Sequence, residues 1–410
     1  MKLRTRLTWA LVAWAAVMAL MMPLQYLVTA QDATFPTLTP PPSPTGNGGT
    51  ATWTVDSQTF ISNYPMGMEF TLKASSSAGE IKNATAIWKL SPVSLQRAAG
   101  VFNKETGQWE FLWDSLKSPM PAWVGLQYWF VLEDEKGNDF TTNSWQAEYA
   151  DNTRSWGRAE SEDIIVYWEH PIDDEFGKLT LDAMAEQRET YRIAWGSLLS
   201  YKPRAIYYAT RDSYFEWDRT RNSIGRRDVG QTSSSWGGTV QYNYNGNLRE
   251  GAYGTVLHEV AHLYQSDKRS TTGIQWWTEG QATFFEREQM YDYVGNLKAI
   301  AKQQGLGPLR SDWGVYFGGR TPYDTGYAFI KYLTDTYGLD ILDKITQNMR
   351  AGKPLLDAIP AAVGKSLDEI EYDYRVWLGL DDPTVPTQMP TLGFSFPPTP
   401  TFPPTKTPKP

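Results

Sequence analysis

The hydrophobic period changes once along this chain, and that change limits the fold more than any other feature. From Ala51 to about Asp151 apolar residues come in short runs rich in aromatic and β-branched side chains, at Met68–Lys73, Ala84–Leu90, Gln108–Trp113 and Leu126–Leu132. Turn signals such as Lys104-Glu105-Thr106-Gly107 and Glu135-Lys136-Gly137-Asn138 separate them, as they separate strands. Residues 51–160 are therefore expected to form a β-sandwich of the immunoglobulin or fibronectin type. Farther on, Ile164–Glu169, Arg204–Thr210 and Gly237–Tyr242 read as strands. Ile172–Leu199 reads as a helix, with Phe176, Leu179, Met184, Tyr191, Ala194, Trp195 and Leu198 near one stripe. After Leu248 the spacing is mostly helical, and Ser366-Leu367-Asp368-Glu369 is a capping box that opens the last helix. Residues 161–380 are thus expected to be a second domain, α+β and mostly helical.

Both regions lie between end segments that are not expected to join either fold. Met1–Arg6 carries three positive charges, Trp9–Leu24 is unbroken apolar sequence, and Val28-Thr29-Ala30 has the small or compact residues that a signal peptidase reads. This is the layout of a secretory signal over residues 1–30. The alternative is an uncleaved anchor, since the segment approaches the roughly 20 residues that span a bilayer. Either way the rest of the chain is expected outside the cytoplasm, secreted or at the cell surface, and at a membrane only if the segment stays. Residues 31–50 and 381–410, rich in Pro and Thr, read as extended linkers. The second is a spacer, a glycosylated stalk or a wall-spanning segment, and composition does not choose among them.

Composition then narrows the chemistry. With 38 basic against 46 acidic residues the net charge is −8, which gives no basic stripe for nucleic acid. There is no cysteine, so disulfides, thiol nucleophiles, iron–sulfur clusters and Cys-type zinc sites are excluded. Only three histidines occur in 410 residues, and two of them fall inside one short motif.

That motif is Leu257-His258-Glu259-Val260-Ala261-His262-Leu263, which contains H-E-x-x-H. Residues four apart share a helix face, so His258 and His262 can aim at one metal ion while Glu259, about 100° away, reaches a water beside it. A chance match in this chain is expected on the order of 10⁻³ times. Hydrolytic zinc needs a third protein ligand and an open position. No histidine follows, and the acids downstream are Asp267, Glu279, Glu286 and Glu288. Glu279, in Gln275-Trp276-Trp277-Thr278-Glu279-Gly280-Gln281-Ala282, stands at the start of an expected helix and is the favoured third ligand. Gly280 removes a side chain where two helices need to approach.

The pair HEVAH and WWTEGQA resembles the gluzincin zinc peptidases, and more closely the peptidase MA-like group, with its H-E-x-x-H helix and later W-x-x-E-G-x-A helix. The resemblance implies a zincin-type domain in which His258, His262 and Glu279 hold Zn2+ and Glu259 is the general base. Gly237-Gly238-Thr239 resembles the strand that lies along the substrate backbone in the wider clan. Tyr323 to Leu333 resembles a later helix, in which Tyr323 or Tyr327 serves as oxyanion donor. Tyr323 is preferred, since it precedes Gly326 by three positions as the family's tyrosine does. Some gluzincins also carry an acid shortly after the ligand Glu that orients the first His. The matching stretch here, Gln281-Ala282-Thr283, has none, and no acid occurs until Glu286.

Three functions follow as expectations. The first is an exported zinc metallopeptidase acting on protein or peptide substrates. The second is a surface binding protein whose zinc domain is a scaffold, and the third a zinc hydrolase acting on a different amide, as in cell-wall peptide. Oligomeric state is left open by the sequence, and His170 is expected at a strand end without a role.

Overall fold

A computed structural model describes residues 51–218, 228–289, 291–310 and 321–385. The signal-like segment, the first linker and most of the proline-rich tail lie outside them. No helix among the described residues is long and apolar enough to cross a membrane.

The N-terminal region is two antiparallel sheets. One has the order β1-β2-β6-β5, from β1 (Trp53–Asn63), β2 (Gly67–Ser76), β5 (Val101–Asn103) and β6 (Gln108–Asp114). The other has the order β4-β3-β7-β8, from β3 (Ile81–Ser91), β4 (Ser94–Ala99), β7 (Gly125–Asp134) and β8 (Asp139–Thr141), and β9 (Trp145–Glu148) also pairs with β7. Strict alternation drives the arrangement. Along β7 every second residue, from Leu126 to Leu132, is buried. Phe70 of the first sheet meets Trp88 of the second at 5.5 Å between ring centroids, and Phe111 meets Phe130 at 5.0 Å.

A third sheet has the order β10-β11-β12-β14-β13, from β10 (Trp156–Glu160), β11 (Ile165–Glu169), β12 (Arg204–Tyr208), β13 (Gly230–Ser233) and β14 (Gly238–Tyr242). Its three central strands run parallel and its two edges antiparallel. Strands buried on both faces read as continuous apolar runs, and here each face has its own partner. Val166, Trp168, Ala205 and Tyr207 join the core beneath the helices, whereas Ile165, Tyr167, Ile206, Tyr208 and Val240 join the core of the N-terminal sheets. Tyr208 Oη lies 3.0 Å from Tyr64 Oη and accepts from the Ala122 amide at 3.2 Å. Trp123 stacks on Tyr167 at 4.7 Å, and Arg204 donates to Glu148 at 2.6 Å. β10, which precedes the expected boundary at 160–161, hydrogen-bonds along its length to β11, which follows it.

Helices follow, all but the second on the far face, since Tyr214 and Phe215 of that one join the core of the N-terminal sheets. They are α1 (Glu175–Ala194), α2 (Arg211–Glu216), α3 (Leu248–Glu250), a π-helical segment (Gly251–Val256), α4 (Leu257–Asp267), α5 (Gln275–Phe284), α6 (Tyr293–Gln304), α7 (Thr321–Tyr337), α8 (Ile341–Arg350), α9 (Leu355–Val363) and α10 (Leu367–Leu378). The first is shorter than the expected 172–199. It stops where Gly196 takes a positive φ, and Trp195 and Leu198 pack on the core from the loop beyond. The capping box opens α10 as expected, with Ser366 Oγ accepting from the Glu369 amide and Glu369 Oε2 from the Ser366 amide.

Candidate metal centre

The motif helix is built to be buried. Leu257, Val260, Ala261 and Leu263 are each fully buried, which leaves His258, Glu259 and His262 on the side that faces a cleft. The π-helical turn just before it is a form common at functional sites. Tyr191 Oη donates to the Leu257 carbonyl at the junction, at 2.9 Å.

The third ligand is delivered through two glycines. A Cβ on Gly280 of α5 would lie 2.3 Å from the Gly326 Cα of α7, and one on Gly326 would lie 1.9 Å from the Trp276 carbonyl oxygen. Such spacing admits no side chain, so the two helices cross backbone to backbone. Glu279 precedes the first glycine and Tyr323 stands one turn before the second. The crossing sets both into the cleft, where Tyr323 hydrogen-bonds to Glu279.

There Glu279 Oε2 lies 3.4 Å from His258 Nε2 and 3.8 Å from His262 Nε2, and the three ligand atoms all fall within 4.8 Å of one another. Zinc–nitrogen and zinc–oxygen bonds of about 2.0–2.2 Å at tetrahedral angles put ligand atoms roughly 3.3–3.5 Å apart. Two imidazoles and a carboxylate at this spacing fit a zinc ion. Burial lowers the His258 pKa, but hydrogen bonds to Glu279 and Glu286, with the nearby carboxylate charges, outweigh it and hold that pKa well above the usual imidazole value. Burial likewise pushes Glu279 up, but His258, His262 and Tyr323 bring it below the usual carboxylate range. Each partner keeps the other charged, and a metal ion bound here would take the place of the proton held between them, because zinc binds the neutral imidazole.

Both outer ring nitrogens are engaged. His258 Nδ1 lies 2.8 Å from Glu286 Oε1, and Glu286 Oε2 accepts from Tyr293 Oη at 2.9 Å. A carboxylate only accepts, so Nδ1 carries a proton and Nε2 faces Glu279. This is the orienting acid that the stretch after Glu279 lacked. It stands seven residues on, two helical turns, just past the end of α5. His262 Nδ1 lies 2.8 Å from Gln265 Oε1.

Glu259 is buried beneath the edge strand β13. Thr232 Oγ1 lies 2.6 Å from Glu259 Oε2 and 2.8 Å from the Glu259 carbonyl oxygen. A Cβ on Gly230 would come within 2.4 Å of Glu259 Oε1, so a side chain there would push the carboxylate out of its place. This corrects the expectation for Gly237-Gly238-Thr239. Their strand β14 is paired on both sides, to β12 and β13, and has no free backbone edge. The strand bordering the cleft is β13, and Gly230 to Ser233 line a cavity of about 760 Å³ with His258, Glu259, His262, Glu279 and Tyr323. Tyr327 does not line it and packs instead on Tyr293 at 5.0 Å and Phe284 at 6.4 Å. His170 follows β11 and is not among the cavity's residues.

No protein-family model and no curated protein matches this chain. Among solved structures it is similar to an M1 zinc metallopeptidase from Deinococcus radiodurans, at 12% identity over 85% of this chain and 97% of that one, with a TM-score of 0.37. It is also similar to Legionella pneumophila aminopeptidase A in complex with aspartic acid, at 12% identity over 78% of this chain and 49% of that one, with a TM-score of 0.35. A polysaccharide deacetylase from Bacillus cereus follows at 8% identity and a TM-score of 0.18. Overlaps this loose carry no function across.

Proposed function

We propose that this chain is a zinc metallopeptidase that hydrolyses peptide bonds, with His258, His262 and Glu279 as the metal ligands. The observation that carries this is the convergence of those three ligand atoms in one cleft beside the buried carboxylate of Glu259. Zinc held there supplies Lewis acidity that brings the ionisation of water near neutral pH. Glu259 is the base that accepts the proton of the attacking water and passes it to the departing amine. Thr232 holds that carboxylate in place and the overlying strand shields it from solvent. The outer edge of β13 gives an extended peptide a backbone to pair with, as strand addition requires. The Tyr323 hydroxyl, beside Glu279, is the donor available to a developing oxyanion.

Export follows from the signal-like residues 1–30. An immunoglobulin-type module is supported by strand order, since β1-β2-β6-β5 and β3-β7-β9 can be lettered A-B-E-D and C-F-G.

The test is cleavage of an unfolded protein by the purified chain, with and without chelator, beside Glu259→Gln. The expected result is chelator-sensitive cleavage by the wild type and none by the variant, which still binds one zinc. A variant that cleaves as fast as the wild type would sink the mechanism.

A further inference from the structure

We propose that Gln265 is a positioning residue that sets both halves of the ligand group through one side chain, an assignment that rests on the zinc reading of this site. Gln265 lies on α4 three residues after His262 and is only 1% exposed. Its Oε1 is 2.8 Å from His262 Nδ1. Its Nε2 donates to the Thr278 carbonyl at 2.7 Å and to Gln281 Oε1 at 3.2 Å.

These contacts decide the chemistry of the histidine. A carbonyl oxygen can only accept, so the end of the amide facing Thr278 must be the NH2 group. Turning the amide over would lose both donations and set oxygen against oxygen in a buried place, which unsatisfied groups make costly. The other end, Oε1, therefore faces His262 and accepts from it. Nδ1 then carries the proton, and Nε2 presents its lone pair towards Glu279. The tautomer of His262 is thus dictated by the backbone carbonyl of Thr278, two hydrogen bonds away.

The same carbonyl belongs to the peptide unit that leads into Glu279. One buried amide therefore fixes the ring of the second ligand and the backbone that delivers the third. It also ties α4 to α5 at the point where the ligands meet. His258 is oriented separately, by the Glu286 carboxylate. The two rings are thus backed differently, one by a charged acceptor and one by a neutral amide locked in place by its own donations.

The experiment uses the full chain without metal and then titrates it with zinc. Histidine-selective nitrogen-15 NMR at alkaline pH resolves which ring nitrogen bears the proton, and only three histidines contribute. Wild type is expected to show His262 as the Nδ1–H tautomer. Gln265→Met, which keeps the volume and removes the acceptor, is expected to lose that preference and to bind zinc 10–100-fold more weakly in chelator competition, the usual range for a ligand's supporting partner. Gln265→Glu keeps an acceptor towards His262 and loses the donor towards Thr278. It is expected to keep the tautomer while recovering only part of the affinity. That variant also decides the matter should Gln265→Met fail to fold. Retention of both tautomer and affinity in Gln265→Met would overturn the assignment, as would loss of the tautomer in Gln265→Glu. Wild type that binds no zinc would instead overturn the zinc reading and this assignment with it. Because the tautomer is read without turnover, a chain that binds zinc as expected yet cleaves nothing would leave the role of Gln265 supported and only the peptidase activity refuted.

Discussion

Tyr323 and Tyr327 stand one turn apart on α7, and their surroundings give them different work. Tyr323 lines the cleft, bonded to Glu279 and with its ring 6.1 Å from that of His258, whereas Tyr327 is spent on packing against Tyr293 and Phe284. Tyr323→Phe is therefore expected to lower kcat by roughly 10²–10³-fold with zinc retained, the range for loss of one oxyanion donor. Tyr327→Phe is expected to leave kcat within about twofold on the same reasoning. Steady-state kinetics on both variants checks this, and equal losses would refute it. Residues with local geometry were legible in the sequence: His258 and His262 are four apart on one helix, and Glu279 sits in its own short pattern. Glu286, Gln265 and Thr232 were not. What Glu286 and Thr232 touch depends on how an element end or edge meets the motif helix, and no spacing within a segment records that, whereas Gln265 follows His262 by three residues on the same helix and only its bond to Thr278 needs another element.

Among elements, the crossing of α5 and α7 is the most demanding contact near the cleft. Gly326→Ala drives a methyl group into the Trp276 carbonyl, and overpacking of this kind costs about 1–3 kcal/mol or more. It is expected to lower the melting temperature and to weaken zinc binding together, because the same crossing delivers Glu279. Calorimetry with chelator competition reads both, and unchanged zinc affinity in a destabilised variant would separate the crossing from the site.

A second element-level test lies in the turn after β7. Burial alone would raise the Asp134 carboxyl, but hydrogen bonds from Asn138, Ser76 and Lys136 hold its pKa at about 2. An unfolded aspartate titrates near 3.9, so this contribution is complete at neutral pH, and it fades as acid takes the pH below that value and through the folded pKa. Asp134→Asn is expected to melt below wild type at pH 7, with the gap closing as pH falls towards 2. A gap independent of pH would refute the titration. The turn itself was legible as Glu135-Lys136-Gly137-Asn138. The edge strands were harder to see. Gly230-Gln231-Thr232-Ser233 has no apolar alternation to mark it, and the expected start of the second domain fell inside the β10–β11 hairpin because pairing across that turn leaves no periodic trace.

At the scale of the whole molecule, the third sheet belongs to both halves. One face carries the motif helix and its neighbours, and the other completes the aromatic core of the N-terminal sheets. The two halves are therefore expected to unfold in one calorimetric transition, with the calorimetric and van't Hoff enthalpies equal. Two resolved transitions would show them to be independent. Tyr208→Phe, which removes the bonds to Tyr64 and Ala122, is expected to shift that single transition by about 1–2 kcal/mol.

The shared sheet also bears on how the chain comes into being. Polypeptides are made from the N-terminus, and early segments begin to fold before later ones exist. The front module has all its own strands once Glu148 has appeared, yet the surface that covers it, Tyr167, Ile206, Trp236 and Val240, comes only with the next stretch of chain. Until then the newborn protein presents an uncovered aromatic face. Synthesis of this chain is thus expected to lean on a chaperone for the interval between those two points, and a pause or truncation within it should send the product to aggregates.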